Sequence, residues 1–259
     1  MEFQSSRLPL NNVIINTGNL LSLNDITKKP GQNTTEELVE ALTITLKDFQ
    51  STNKIDSIED HHLTITRPFE DLASKIAEHE INDLKIGLKI FVENDKEQQM
   101  VEAIEKTFKA LNISSVQNVI LSYNNKQSEG QNDVIGKIKN IWQTLEKFVQ
   151  EKKILQIGIS DVEELAFRTL YEWATVKPSI IQINLASCCV VPPTLQTFCK
   201  DNEVQLLTHS DPNDILPEQS IQGLFGAQLS LKWVVRFLVH IKCRGVLTTK
   251  GYLVSLCND

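Results

Sequence analysis

At 259 residues, with 41% hydrophobic and 23% charged side chains, the chain has the balance of an ordinary globular protein, which excludes a disordered polymer too poor in apolar surface to collapse. A formal net charge of −7 and a pI near 5.4 exclude a global pull toward nucleic acid or anionic lipid, whose binding runs on clustered Lys and Arg. The start Met1–Arg7 lacks the basic and apolar run of a secretory signal, and no later stretch approaches the roughly 18 apolar residues of a membrane span, so the reading is cytoplasmic.

Taken in chain order, the first element is a short apolar strand at Val13–Asn16, followed by polar connections at Lys28–Thr35 and Gln50–Asp60. A second strand is predicted at His62–Thr66 and a third at Leu84–Glu93. Met100, Ile104, Phe108 and Leu111 then recur at helical spacing, and Val116–Ser122 reads as a strand. After a polar stretch at Tyr123–Asp133, a long helical stripe runs from Val134 through Ile138, Ile141, Trp142, Leu145 and Phe148 to Val149. Strand Ile154–Ser160 leads to a stripe of Val162, Leu165, Ala166, Thr169, Leu170 and Trp173, for which Asp161 is the predicted N-cap. Strands follow at Ile180–Leu185 and Val204–His209, then a long connection, Asp211–Ser230. Trp233, Val234, Phe237, Leu238 and Ile241 read as a last helix, and Val246–Thr249 as the eighth strand.

Eight strands alternating with helices close most naturally into a (β/α)8 barrel, so an α/β TIM barrel forming one domain over residues 1–259 is predicted. An open doubly wound sheet is the alternative, weakened because no Gly-rich phosphate fingerprint follows the first strand. Only Lys250–Asp259 follow the eighth strand, so the usual closing helix is missing or very short.

Several polar residues fall where a barrel places its chemistry. Alternation along Leu84–Glu93 sets Ile86, Leu88, Ile90 and Val92 on one face and Lys89 on the other, toward a lumen if the first set meets the helices. A lysine there pairs with an acid or positions a reacting group; on spacing alone a solvated strand end is an equal reading. Ser160, Gln182 and His209 end three successive strands and suit either an amide or ring ligand or local backbone capping. Of five cysteines, Cys188 and Cys189 are adjacent, and read as two packed thiols or as an oxidisable pair at an interface. His61 and His62 lack a third ligand at suitable spacing, so no metal site is predicted.

The segments Glu151–Ser160 and Val176–Leu185, with Phe198–Lys200 and Val204–Leu207, resemble the second half of an aldo-keto reductase. Within that superfamily Gln182–Pro193, Gln205–Pro212, Thr17–Leu21 and Lys250–Tyr252 resemble the family of glutamate–cysteine ligase regulatory subunits. Aldo-keto reductases use an Asp, Tyr, Lys and His set in which Tyr is the proton donor. The resemblance sets Lys89 on the Lys position and Ser122 on the former His position, while His62–Thr66 has no counterpart of the Asp and no Tyr follows it, so both residues are vestigial and carbonyl reduction is lost. It also implies NADP(H) contacts, not required for function, at Ser160 and Gln182 for the nicotinamide amide, Asp161 where Asn is usual, His209 for ring stacking and Lys250 for the 2′-phosphate.

Likeness to the regulatory subunits implies docking on the ligase catalytic subunit as a heterodimer in glutathione biosynthesis. Ala186–Pro193, Asp211–Ser230 and Lys250–Asp259 are the first surfaces to consider.

Overall fold

In this computed structural model the described residues are 12–23, 32–52, 58–59, 62–68, 72–124, 131–185, 190–226 and 229–258. Cys188 and Cys189 lie outside them. In chain order the elements are β1 (Asn12–Asn16), α1 (Thr34–Thr52), β2 (Ile58–Glu59), β3 (His62–Thr66), α2 (Leu72–Ala77), β4 (Leu84–Val92), α3 (Glu97–Leu111), β5 (Val116–Tyr123), α4 (Gln131–Gln150), β6 (Ile154–Ser160), α5 (Glu164–Trp173), β7 (Ile180–Asn184), α6 (Pro193–Asp201), β8 (Gln205–His209), α7 (Glu218–Phe225), β9 (Leu229–Ile241) and β10 (Val246–Asn258). No described helix is long and apolar enough to cross a membrane.

The strands form one sheet in the order β2-β3-β1-β10-β9-β4-β5-β6-β7-β8. Its α/β class and the parallel run from β4 to β8 are those of the expected architecture. The eight-membered parallel ring is corrected: β9 and β10 form a long antiparallel hairpin inserted between β1 and β4, and among the described residues no ladder joins β8 to β2.

Side-chain alternation explains the two layers. Ile86, Leu88, Ile90 and Val92 of β4 pack with Met100, Ile104 and Phe108 of α3 and Ile138, Ile141 and Trp142 of α4 in the larger core. A fully buried Leu or Ile contributes roughly 1.5–3 kcal/mol relative to exposure, so this stripe-on-strand match dominates the fold. Helix α3 ends at Asn112, whose left-handed φ of 51° lets the chain turn into β5. On the other face α1 packs on β1 and β3 through Leu38, Leu42 and Leu46, and α7 packs on β9 through Ile221 and Phe225, with Tyr252, Val254 and Leu256 of β10 in the same core.

The predicted last helix is corrected to strand β9. Its apolar residues satisfy both periods, but Trp233, Val235, Phe237 and Val239 alternate into the larger core, and aromatic and β-branched side chains favour the pleated choice. Gly245 (φ 61°) turns the chain back into β10. A register shift at Lys232, opposite Ser255 and Leu256, moves Leu231 into the smaller core. The tail that was to follow an eighth strand is therefore the interior of β10, with Tyr252, Val254 and Leu256 buried.

Candidate functional site

The face covered by α1 and α7 carries the polar chemistry. Register places Lys89 of β4 beside Arg236 of β9, and Arg236 beside Tyr252 of β10, so three strands present Lys, Arg and Tyr in one row. The adjacent row runs Phe91, Ser122, Ser160, Gln182 across β4 to β7. Four ladder steps separate β4 from β8, about 19 Å along a flat sheet. Lys89 Nζ nevertheless lies 2.8 Å from Oδ2 of Asp211, just beyond β8, so the sheet curls strongly toward this face.

Asp211 is the hub. Arg236 grips both its oxygens, Nη1 on Oδ1 and Nη2 on Oδ2 at 2.9 Å, and Thr34 at the start of α1 donates to Oδ1 at 2.8 Å. Its backbone is held too: the carbonyl accepts from Asn184 Nδ2 (2.8 Å) and the amide donates to His209 Nδ1 (3.1 Å). That leaves the imidazole Nε2 proton for Asp161 Oδ1 at 2.9 Å. At the other end Tyr252 donates its hydroxyl to Glu37 Oε1 (2.7 Å), and Lys250 Nζ sits 2.6 Å from Glu37 Oε2.

Burial alone would raise the Asp211 carboxyl, but a hydrogen bond from the protonated His209 ring, whose Nδ1 lies 3.3 Å from Oδ2, those from Arg236, and the charges of Arg236 and Lys89 hold it far below the carboxylate range. Burial pulls the Lys89 ammonium down, and the attraction of Asp211 only partly offsets it. The His209 imidazole is also pulled down by burial, yet its hydrogen bonds to Asp161 and Asp211 outweigh this and it ends raised. Burial pushes the Tyr252 phenol well above its ordinary value despite the nearby Arg236. The cluster is thus a charge-paired network in which Asp211 is held ionised by the cations around it.

The structure brings Lys89, His209 and Asp161 into one network, and sets Ser122, Ser160 and Gln182 side by side along the next row. Ser122 is 8% exposed and Ser160 fully buried, with Ser160 Oγ 3.4 Å from the Leu121 carbonyl. Gln182 Oε1 is buried without a hydrogen-bond partner. Asp161 is not the helix cap predicted for it: α5 starts three residues later after Glu163, and Asp161 takes a left-handed φ of 61° that turns its carboxylate to His209. Lys250 stands apart from the Ser160–Gln182 row, engaged with Glu37.

Sequence reasoning missed Asp211, Arg236, Tyr252 and Glu37. Asp211 sits in a polar connection and meets partners 122 and 25 residues away, which no local pattern reports. Arg236 was legible only through the period-two alternative for β9.

The aldo/keto reductase family model matches residues 70–211, more than half of the chain, and the chain belongs to the aldo/keto reductase family. Within it, the chain is 32% identical over 250 residues to the glutamate–cysteine ligase regulatory subunit of Homo sapiens, covering 93% of this chain and 91% of the human protein. The Rattus norvegicus regulatory subunit is 31% identical with the same coverage. A putative regulatory subunit from Schizosaccharomyces pombe is 29% identical over 121 residues, 44% of this chain and 42% of that protein. Among solved structures, an aldo-keto reductase from a Medee basin deep-sea metagenome library aligns with a TM-score of 0.42 at 18% identity, over 52% of this chain and 47% of that one.

Proposed function

We propose that this chain is a non-catalytic regulatory subunit that binds the catalytic subunit of glutamate–cysteine ligase as a cytoplasmic heterodimer. By binding one conformation of that enzyme better than another it raises glutamate affinity and relieves glutathione feedback inhibition. The observation that carries the reading is the 32% identity to a glutamate–cysteine ligase regulatory subunit over 93% of the chain. The site supports it: Lys89 is spent on Asp211, and Tyr252, buried and donating to Glu37, has no open path to a carbonyl. Purified chain mixed with the catalytic subunit should comigrate on sizing, and alone it should leave NADPH unconsumed in the presence of a reactive aldehyde. Steady NADPH oxidation lost on Lys89→Met would favour a reductase instead.

A second reading, residual NADP(H) binding as a redox sensor, is favoured by the buried, unpartnered Gln182 Oε1, a ready acceptor for a nicotinamide amide. The rest of the set does not fit the cofactor. The His209 side chain is only 7% exposed and hydrogen-bonded at both ring nitrogens, leaving little face for stacking, and the Lys250 charge is taken by Glu37. A fluorescence titration with NADPH that shows saturable binding, abolished in Gln182→Leu, would restore this reading.

A further inference from the structure

Among the described residues strand β8 ends the sheet and its one pairing partner is β7. Gln205 N–H donates to the Ser179 carbonyl at 2.9 Å, and the His209 carbonyl accepts from Leu185 N–H at 2.9 Å. In a strand the amide and carbonyl of one residue point the same way and alternate along the chain, so Leu206 and Thr208 turn theirs to the open edge. Proteins usually blunt such an edge with lysine, proline or very short length. Strand β8, Gln-Leu-Leu-Thr-His, carries neither residue, whereas the opposite edge β2 is two residues long.

Beside this edge the Leu206 side chain lines a groove of about 360 Å³ with Val191, Cys199, Val204 and Lys200. Val190, next to it in the chain, is 72% exposed. Gln196 adds an amide to these mainly apolar walls, and among the described residues no ion pair is formed by the Lys200 ammonium at the groove's rim.

We propose that the β8 edge and this groove form a strand-addition site for an extended segment of the ligase catalytic subunit, one that carries an apolar side chain for the groove and an acidic residue for Lys200. The open amides and carbonyls select an extended backbone, the walls select the apolar side chain, and the charge selects the acid. Five paired residues span about 17 Å, which makes the strand an anchor within the roughly 1,200–2,000 Å² a specific interface buries. This inference rests on the regulatory reading above, since it names the surface that reading requires.

The test is hydrogen exchange on the intact wild-type chain, alone and with the catalytic subunit. The Leu206 and Thr208 amides should slow by about tenfold or more on complex formation. Thr208→Pro removes an outward N–H at an exposed position, and Lys200→Glu reverses the groove charge. Each should weaken association by about tenfold while leaving the unfolding midpoint unchanged. If the complex forms but these amides stay unprotected and both variants bind normally, the partner docks elsewhere and the inference falls. If the wild-type chains do not associate, the regulatory reading falls and takes the inference with it. A self-dimer abolished by Thr208→Pro would assign the edge to a second copy and overturn the proposed occupant.

Discussion

Asp211 holds two cations, Lys89 and Arg236, that would otherwise face each other unneutralised in a buried site where both side chains and its own are at most 14% exposed. Asp211→Asn should therefore destabilise the fold by about 3–5 kcal/mol, the range for removing one partner of a buried ion pair. Lys89→Met leaves the bidentate Arg236–Asp211 pair intact and should cost no more than about 1 kcal/mol. Urea unfolding of the two variants separates these outcomes, and equal large losses would contradict the hub role of Asp211. Because Asp211 is depressed on folding, its contribution is complete above its unfolded pKa of about 3.9 and fades as acid approaches its far lower folded value. His209 has the opposite sign: raised on folding, it adds stability below about pH 6.5 that is lost as pH climbs through its folded pKa. The stability gap between wild type and His209→Gln should thus narrow as pH rises above about 6.5, and a widening gap would refute the assigned hydrogen bonds.

At the scale of elements, the sequence was most legible where one period stood alone. Strands β3 and β6 begin and end where His62–Thr66 and Ile154–Ser160 were read, and the stripes of α3 and α4 face the core as their spacing requires. Strand β9 was misread because Trp233, Val234, Phe237 and Ile241 fit a helix as well as a strand; only pairing with β4 and β10, remote in sequence, decides. Of the site, Lys89 was legible from alternation in β4 and His209 from its place at a strand end. Their shared partner Asp211 was not, because a long-range ion pair leaves no local pattern. The hairpin makes its own demand at Gly251, where an added Cβ would meet the Gly18 carbonyl oxygen and the Phe237 ring. Gly251→Ala should cost about 3 kcal/mol, the upper end for overpacking, since one of the colliding atoms is backbone. Gly136→Ala, in mid-helix of α4 with nothing within 4 Å of the new methyl, should instead stabilise by up to about 1 kcal/mol. Thermal unfolding of the pair checks both, and a tolerated Gly251→Ala would argue against the close approach of β10 to the Gly18 turn.

For the whole molecule, part of the family's scaffold is kept and part is rebuilt. Parallel strands β4 to β8 and their helices keep the aldo/keto reductase arrangement over the matched residues 70–211, whereas the β9–β10 hairpin, α1 and α7 fill the other face with a closed polar network. The most direct measurement is a kinetic titration of the glutamate–cysteine ligase catalytic subunit with this chain. The apparent KM for glutamate should fall and glutathione inhibition should weaken, both saturating near one chain per catalytic subunit. If neither parameter moves across a titration in which the two chains are shown to be folded, the regulatory account is wrong.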